Sequence, residues 1–558
     1  MKRLILFSFT LMVTLMSHAM MIAPADFRVV CKDGSVAYYC GIYTTLTFSE
    51  DASLLYITTG VPVSNDYSYE DGYVYEEGSV DVVCYAVDGI EAIEFAEAGT
   101  YYEQYSYDGA HVDVAIDASD DTSYSEVKEQ VITDEKDEDY GDFIENYKPT
   151  NRITIAYNGE TATVTGKVTG VTVMAKGAHV TVLSTKKNIA YTLKGTTTNG
   201  SFKLYSDYKT EVALEGADIT NPTGAAINIQ SGKTILVKLA DGSTNKLADG
   251  ATYTMTTGED QKGAFFSEGQ LVFSGSGSLE VKSVGGHGIV SDDYVRVRGG
   301  YITVHSVRDG INTNDRFIMS GGAVTVDAQQ DGLDIGKGYI EIGAGKLTVN
   351  SVDEGITASY EGEGDGTVDA AITPYIAIKG GLVKVTTTGE KGHALRAMST
   401  ITMTGGIVQA TTKGAGSKAL MSEGNMTLTG GKVTAFTEGN ALYEADLKEL
   451  SSSAAIRSKG VLTIESMTVG VKSTGKGAKA INNVGDIVLK NSQVTAVASG
   501  ATYESNGLDS RSRGVTTDAD MSLSGGALKV RSYDDPLQVD GSLSFQNAAV
   551  YAGFKVGE

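Results

Sequence analysis

From Ile153 onward the chain alternates apolar and polar positions in short runs: Ile153/Ile155, Val171/Val173, Val180/Val182, Phe202/Leu204 and Val212/Leu214. A period of two predicts strands with one face buried. The runs also recur. Val307-Arg308-Asp309-Gly310-Ile311 is followed 22 residues later by Gln330-Asp331-Gly332-Leu333, and 23 residues after that by Val352-Asp353-Glu354-Gly355-Ile356. A second marker keeps the same step: Gly299-Gly300-Tyr301-Ile302-Thr303-Val304, Gly321-Gly322-Ala323-Val324-Thr325-Val326 and Ala344-Gly345-Lys346-Leu347-Thr348-Val349. One apolar anchor per repeat can be followed through Ile227, Phe265, Ile289, Ile311, Leu333, Ile356, Leu395, Leu420, Ile456, Ile481, Val515 and Leu537, with longer steps where segments such as 361–370 and 441–453 are inserted.

A fixed repeat in the low twenties, built from β-branched runs and Gly corners, predicts a solenoid in which stacked copies bury one another's apolar face. Three short strands and three turns fit one repeat. Gly-Gly and Asp-Gly are read as positive-φ corners. A left-handed hexapeptide helix would show a six-residue apolar period, which is absent. The predicted fold is therefore all-β, a right-handed parallel β-helix over 149–558; an array of β-sandwiches is the alternative.

The N-terminal part reads differently. Residues 1–19 have a basic start (Lys2, Arg3), an apolar run from Leu4 to Met16 and a small residue at Ala19, the pattern of an export signal too short to span a bilayer. The expected location is the periplasm, cell surface or exterior, without membrane insertion. Residues 24–116 hold Cys31, Cys40 and Cys84 and alternating runs such as Arg28–Cys31, predicting a small β-rich domain in which Cys31 and Cys40 could form a hairpin disulfide. Residues 117–148 are rich in charge and read as an acidic linker with a short helix at 124–131.

The formal net charge of −25 leaves no basic stripe for nucleic acid and repels acidic glycans unless a cation intervenes. Acidic side chains concentrate in the repeat. Asp309, Asp331 and Glu354 share one register, with Asp334 and Asp353 close by; stacking would bring aligned carboxylates to about 5 Å from one another. Calcium favours such oxygen clusters. The same residues could equally serve as solvated turn caps. The Glu361–Asp369 insertion, and Asp292, Asp293, Asn312, Asn314 and Asp315, are further oxygen donors.

Basic side chains border the stripe: Arg296, Arg298, Arg308, Arg316 and Lys337. Arg308 and Lys337 are best placed to bind a sugar carboxylate; surface ion pairing is the plainer reading. Trp is absent, so ring stacking on sugars would fall to Tyr294, Tyr301 and Tyr339, which outer-face strand packing would explain as well. His287, His305 and His393 read as turn or surface residues, and no Ser-His-Asp or Cys-His arrangement is visible.

The ordered series Gly216-Ala217-Asp218-Ile219-Thr220-Asn221, Ala225-Ala226-Ile227, Asp241–Gly250, Gly263-Ala264-Phe265-Phe266-Ser267-Glu268 and Gly275–Leu279 resembles a bacterial family of exported carbohydrate-binding, pectate-lyase-like β-helix proteins, over roughly 145–540. The resemblance implies a right-handed β-helix, acidic groups that hold calcium, and binding of plant-type, uronate-containing polysaccharide. Together these readings favour non-catalytic glycan binding. A surface adhesin or structural rod, and a calcium-dependent polysaccharide lyase, are the alternatives. The sequence does not specify the oligomeric state.

Overall fold

The computed structural model describes residues 3–4, 21–22, 27–33, 36–39, 44–48, 53–59, 80–95, 129–360, 362, 367–546 and 548–556. Most of the predicted export signal, Cys40 and most of the 361–369 insertion lie outside them. The described chain is all-β apart from short 3-10 turns. It divides into two compact units, one of residues 117–412 and 421–423, the other of 1–116, 413–420 and 424–558.

In the unit containing 117–412, strands pair in parallel ladders whose partners lie one sequence repeat apart. The predicted anchors form one ladder: Phe202, Ile227, Phe265, Ile289, Ile311, Leu333, Ile356 and Leu395 each pair with the next. Two further ladders run beside it. One stacks Val295, Phe317, Ile340 and Ile376, and the other stacks Val304, Val326, Val349 and Val385. A repeat thus carries three strand segments, as Ile311–Thr313 and the two halves of the bulged strand Arg316–Ala328 illustrate. Side chains from all three ladders are buried. Each Val, Ile or Leu so placed contributes roughly 1.5–3 kcal/mol relative to exposure, and the apolar columns specify the register, since a one-residue slip would turn them outward.

The glycines do two separate jobs. Gly300 and Gly322, each the second of a Gly-Gly pair, have φ of 92° and 72°, a corner that other residues reach only with strain. The glycine after each acidic stripe residue is different. Gly310 and Gly332 are absent from the positive-φ positions, and a Cβ at either would sit 2.1 Å from Val326 Cγ1 or Val349 Cγ1 respectively. The Asp-Gly glycines therefore serve close packing, and the expectation of a positive-φ corner fails there.

Residues 129–147, read from sequence as part of a linker, lie against the outer face of this unit. Arg296 Nη2 meets Glu129 at 2.6 Å, and its Nη1 meets Asp139 at 2.8 Å and Asp142 at 3.2 Å. Arg298 pairs with Glu129 and Glu145, both at 2.9 Å, and its guanidinium lies 3.9 Å from the Phe143 ring centre. Residues 129–131, the described tail of the predicted helix, are not helical; the segment's regular structure is the 3-10 turns Glu138–Asp142 and Ile144–Asn146. Its acidic residues are held by cations that alternation had turned outward.

In the other unit, the anchors Ile456, Ile481, Val515 and Leu537 likewise pair each with the next. Its last strand, Ala549–Val556, pairs antiparallel with Val80–Ala86 of the N-terminal region. Leu54 packs with Tyr56, Leu537, Leu543 and Phe545, beside a core formed by Phe27, Val29, Cys31, Leu46, Leu55, Ile57, Tyr85 and Ile90. The N-terminal strands thus cover the edge left by the final repeat, which would otherwise present unpaired amides and carbonyls.

Candidate functional site

The stripe lies two residues before each buried anchor. Backbone hydrogen bonds fix it: Gly288 N donates to Asp309 O, Gly310 N to Asp331 O, Gly332 N to Glu354 O and Gly355 N to His393 O, over 2.7–3.0 Å. One register therefore holds His287, Asp309, Asp331, Glu354 and His393 on successive repeats. The glycines bring this strand close against the Val304–Val326–Val349–Val385 column and so keep the carboxylates in line.

The acidic side chains serve two functions. Asp309 Oδ1 accepts from the Asp331 amide at 3.2 Å, and Asp331 Oδ1 from the Glu354 amide at 2.8 Å, so each caps the next repeat. Asp309 also meets His287 Nδ1 at 3.0 Å, while Asn312 Nδ2 bridges Asp309 and Asp334 at 3.0 Å each. Beyond these caps, Asp331, Asp353 and Glu354 converge: one carboxylate oxygen from each lies within 4.8 Å of the others.

This convergence perturbs their chemistry. Burial, reinforced by the charges of Glu354, Asp309, Asp334 and Asp353, pushes the Asp331 carboxyl up to about 9. Burial, then Asp353, pushes Glu354 up to about 7, against the pull of Arg396, whose Nη1 lies 3.4 Å from Glu354 Oε1. A divalent cation would relieve the same repulsion that protons relieve here. Calcium binds oxygen at about 2.3–2.6 Å, so ligands on opposite sides of it stand up to about 5 Å apart; the 4.8 Å spread fits.

The basic and aromatic candidates separate. Arg308 and Lys337 are exposed, flanking Asp309 and following Asp334. Tyr294 is buried: its hydroxyl donates to Asp142 Oδ1 at 2.7 Å, and Ile144 and Tyr147 pack on its cluster, so it offers no surface ring to a sugar. Tyr339 is half-buried and stacks on Tyr375 with ring centres 5.0 Å apart and planes 12° from parallel. Arg316 completes the column, 4.4 Å from the Tyr294 ring centre and 3.2 Å from the Tyr339 hydroxyl. Arg296 and Arg298 are consumed by the docked 129–147 segment. From the sequence His287 and His393 read as turn or surface residues, and Tyr375 carries no signal. For the histidines the signal was available: each stands two residues before an anchor.

The family model and the curated relative carry the same description. A family model described as carbohydrate-binding domain-containing protein matches residues 176–484. A curated protein of Acetivibrio thermocellus, named carbohydrate-binding domain-containing protein, is 29% identical over 118 residues, 20% of this chain. The matched region spans 41% of that relative's own length. A solved structure, the polysaccharide lyase-like protein from C. thermocellum as a gadolinium derivative, aligns with a TM-score of 0.36 and 22% identity, covering 50% of this chain and 99% of that one. With more than half of its length matched by the family model, the chain belongs to the carbohydrate-binding domain-containing protein family.

Proposed function

We propose that this protein is an exported, non-catalytic binder of acidic, uronate-containing polysaccharide, that calcium assists the binding, and that the stacked repeats form a right-handed parallel β-helix. The observation that carries the reading is the convergence of Asp331, Asp353 and Glu354 within 4.8 Å, in a chain whose family binds carbohydrate. An acidic protein and an acidic glycan repel, and this cluster is where the repulsion can be reversed. Asp331, Asp353 and Glu354 would hold the ion, with Asp309 and Asp334 setting the surrounding negative potential. Calcium bound there supplies positive charge and coordination positions that a sugar carboxylate can fill.

The chain's own groups do the rest. Arg308 and Lys337, exposed beside the stripe, can pair with neighbouring carboxylates along the glycan. Asn312, held between Asp309 and Asp334, keeps those side chains in place. The Tyr339–Tyr375 pair offers an apolar edge to a sugar ring. Titration calorimetry with calcium tests the proposal. Wild-type protein should bind the ion and Asp331→Ala should not, with folding verified by circular dichroism; unchanged calcium binding by the folded variant would remove the site.

A further inference from the structure

The stripe register changes sign within the chain. Two residues before the anchors Leu420, Ile481 and Val515 stand Lys418, Lys479 and Arg513, where the earlier repeats carry Asp309, Asp331 and Glu354; Ala454 and Asp535 hold the same position before Ile456 and Leu537. All three cations belong to the unit containing 424–558. Lys479 and Arg513 lie on neighbouring repeats, joined by the Ala480 N to Arg513 O hydrogen bond of 3.1 Å. They floor a polar cavity of about 510 Å³, also lined by Leu450, Ser452, Asp509, Ser510 and Arg511.

The cavity walls are built from two inserted hairpins. Leu442–Glu444 pairs antiparallel with Glu449–Ser451, and Tyr503–Ser505 with Leu508–Ser510. These are additions that the plain repeat does not need. Ser452 Oγ and Ser510 Oγ, one beside each hairpin, meet at 2.9 Å. Ser452 accepts from Lys479 Nζ at 2.5 Å, and Lys418 Nζ donates to Ser451 Oγ at 2.8 Å.

The positive charge is poorly compensated. Among the described residues Lys479 forms no ion pair, and its hydroxyl partner is neutral. Arg513 Nε is buried without a hydrogen bond, and its nearest carboxylate, Asp535, lies 3.5 Å away on a largely exposed side chain. Arg511 and Asp509 are likewise 3.5 Å apart and exposed. Burial, and then the neighbouring Arg513 and Arg457, push the Lys479 ammonium down to about 8, against the pull of Asp518. In a chain of net charge −25, clustering three cations in one walled pocket points to an anionic ligand.

We infer that this cavity is a cation-independent binding site for an oxyanion, taking the carboxylate of an acidic saccharide between Lys479, Arg511 and Arg513, with Ser452 and Ser510 hydrogen-bonding its oxygens. Its volume lies in the range of saccharide-sized ligand sites, and Arg is suited to bidentate carboxylate recognition. The site needs no calcium at the acidic stripe, and its choice of an acidic saccharide rests on the function proposed above.

The test uses the full-length protein in excess EDTA, titrated with trigalacturonate, with the uncharged trigalactoside and with sodium sulfate. Trigalacturonate should bind and the neutral trisaccharide should not. Lys479→Met and Arg513→Gln should each weaken binding by about tenfold or more. Arg511→Ala, at an exposed position that does not threaten folding, should weaken it as well. Displacement of trigalacturonate by sulfate would extend the site to oxyanions in general. The inference is overturned if trigalacturonate does not bind in EDTA, if the neutral sugar binds equally, or if Arg511→Ala and folded Lys479→Met both bind like wild type.

Discussion

Replacing Asp331 by Asn keeps the shape of the side chain and removes its charge. Its carboxylate lies within 4.8 Å of those of Asp353 and Glu354. At about that separation, with an effective dielectric of about 20, two unit charges repel by roughly 3.5 kcal/mol. Two such neighbours set an upper bound of about 7 kcal/mol on a fully ionised, metal-free cluster. Protons remove much of this near neutrality. Both carboxyls are raised above their unfolded values, so the stability they contribute is complete below about pH 4. It is lost as pH rises through the folded values of about 7 for Glu354 and about 9 for Asp331. In EDTA the wild-type protein should therefore lose stability between about pH 5 and 9. Asp331→Asn should lose less, the gap reaching roughly 2–3 kcal/mol at the alkaline end once solvent screening is allowed for. Calcium should invert the order. An excess of about 100-fold over its dissociation constant stabilises the wild type by about 2.7 kcal/mol, and the variant should gain little. Scanning calorimetry at pH 5, 7 and 9, in EDTA and in calcium, reads all of this. Identical pH profiles in EDTA, or an equal calcium shift in the variant, would show that Asp331 carries no such repulsion and holds no calcium.

Three further outcomes follow from the packing. Gly332→Ala would place a Cβ 2.1 Å from Val349 Cγ1 and 2.4 Å from Gly355 O, which accepts from Leu333 N. Backbone and a β-branched side chain yield little, so denaturation should show a loss of about 3 kcal/mol, the upper end of the overpacking range, with weakened calcium binding because the stripe strand moves. Arg296→Met leaves Asp142 buried without its cation and should cost roughly 3–5 kcal/mol; limited proteolysis should then cut within 129–147, and protection equal to wild type would contradict the docking role. Tyr339→Ala should weaken glycan binding severalfold in calcium while calcium affinity itself stays constant, as paired calorimetric titrations would show.

The repeat was legible because each one must bury the same three columns. Apolar anchors such as Ile311, Leu333 and Ile356 cannot drift without exposing themselves, and they pair where the 22- and 23-residue steps placed them. The Gly-Gly corners were legible for a local reason, the positive φ at Gly300 and Gly322. What local pattern could not give was long-range partnership. Arg296 and Arg298 stood out as outward-facing cations, yet nothing nearby in sequence marks Glu129 or Asp142, more than 150 residues away, as their partners. Tyr294 was misread for the same reason, because the segment that buries it arrives from outside the repeat. Nor does local pattern show that Val80–Ala86 pairs with Ala549–Val556, more than 460 residues away. That choice depends on which edge is open in three dimensions. The histidines of the stripe were missed because residue type was weighed above register, although the register was already in view.

In the proposed function, calcium at the acidic stripe lets an acidic protein hold an acidic glycan. Co-sedimentation of the full-length protein with insoluble polygalacturonate, in calcium and then in excess chelator, with ultraviolet absorbance followed throughout, tests it most directly. Binding should be several times stronger in calcium, with a residual chelator-resistant fraction that Arg511→Ala removes, and no new absorbance should develop. Equal binding with and without calcium, or a steady rise in absorbance from newly formed C=C bonds, would contradict it.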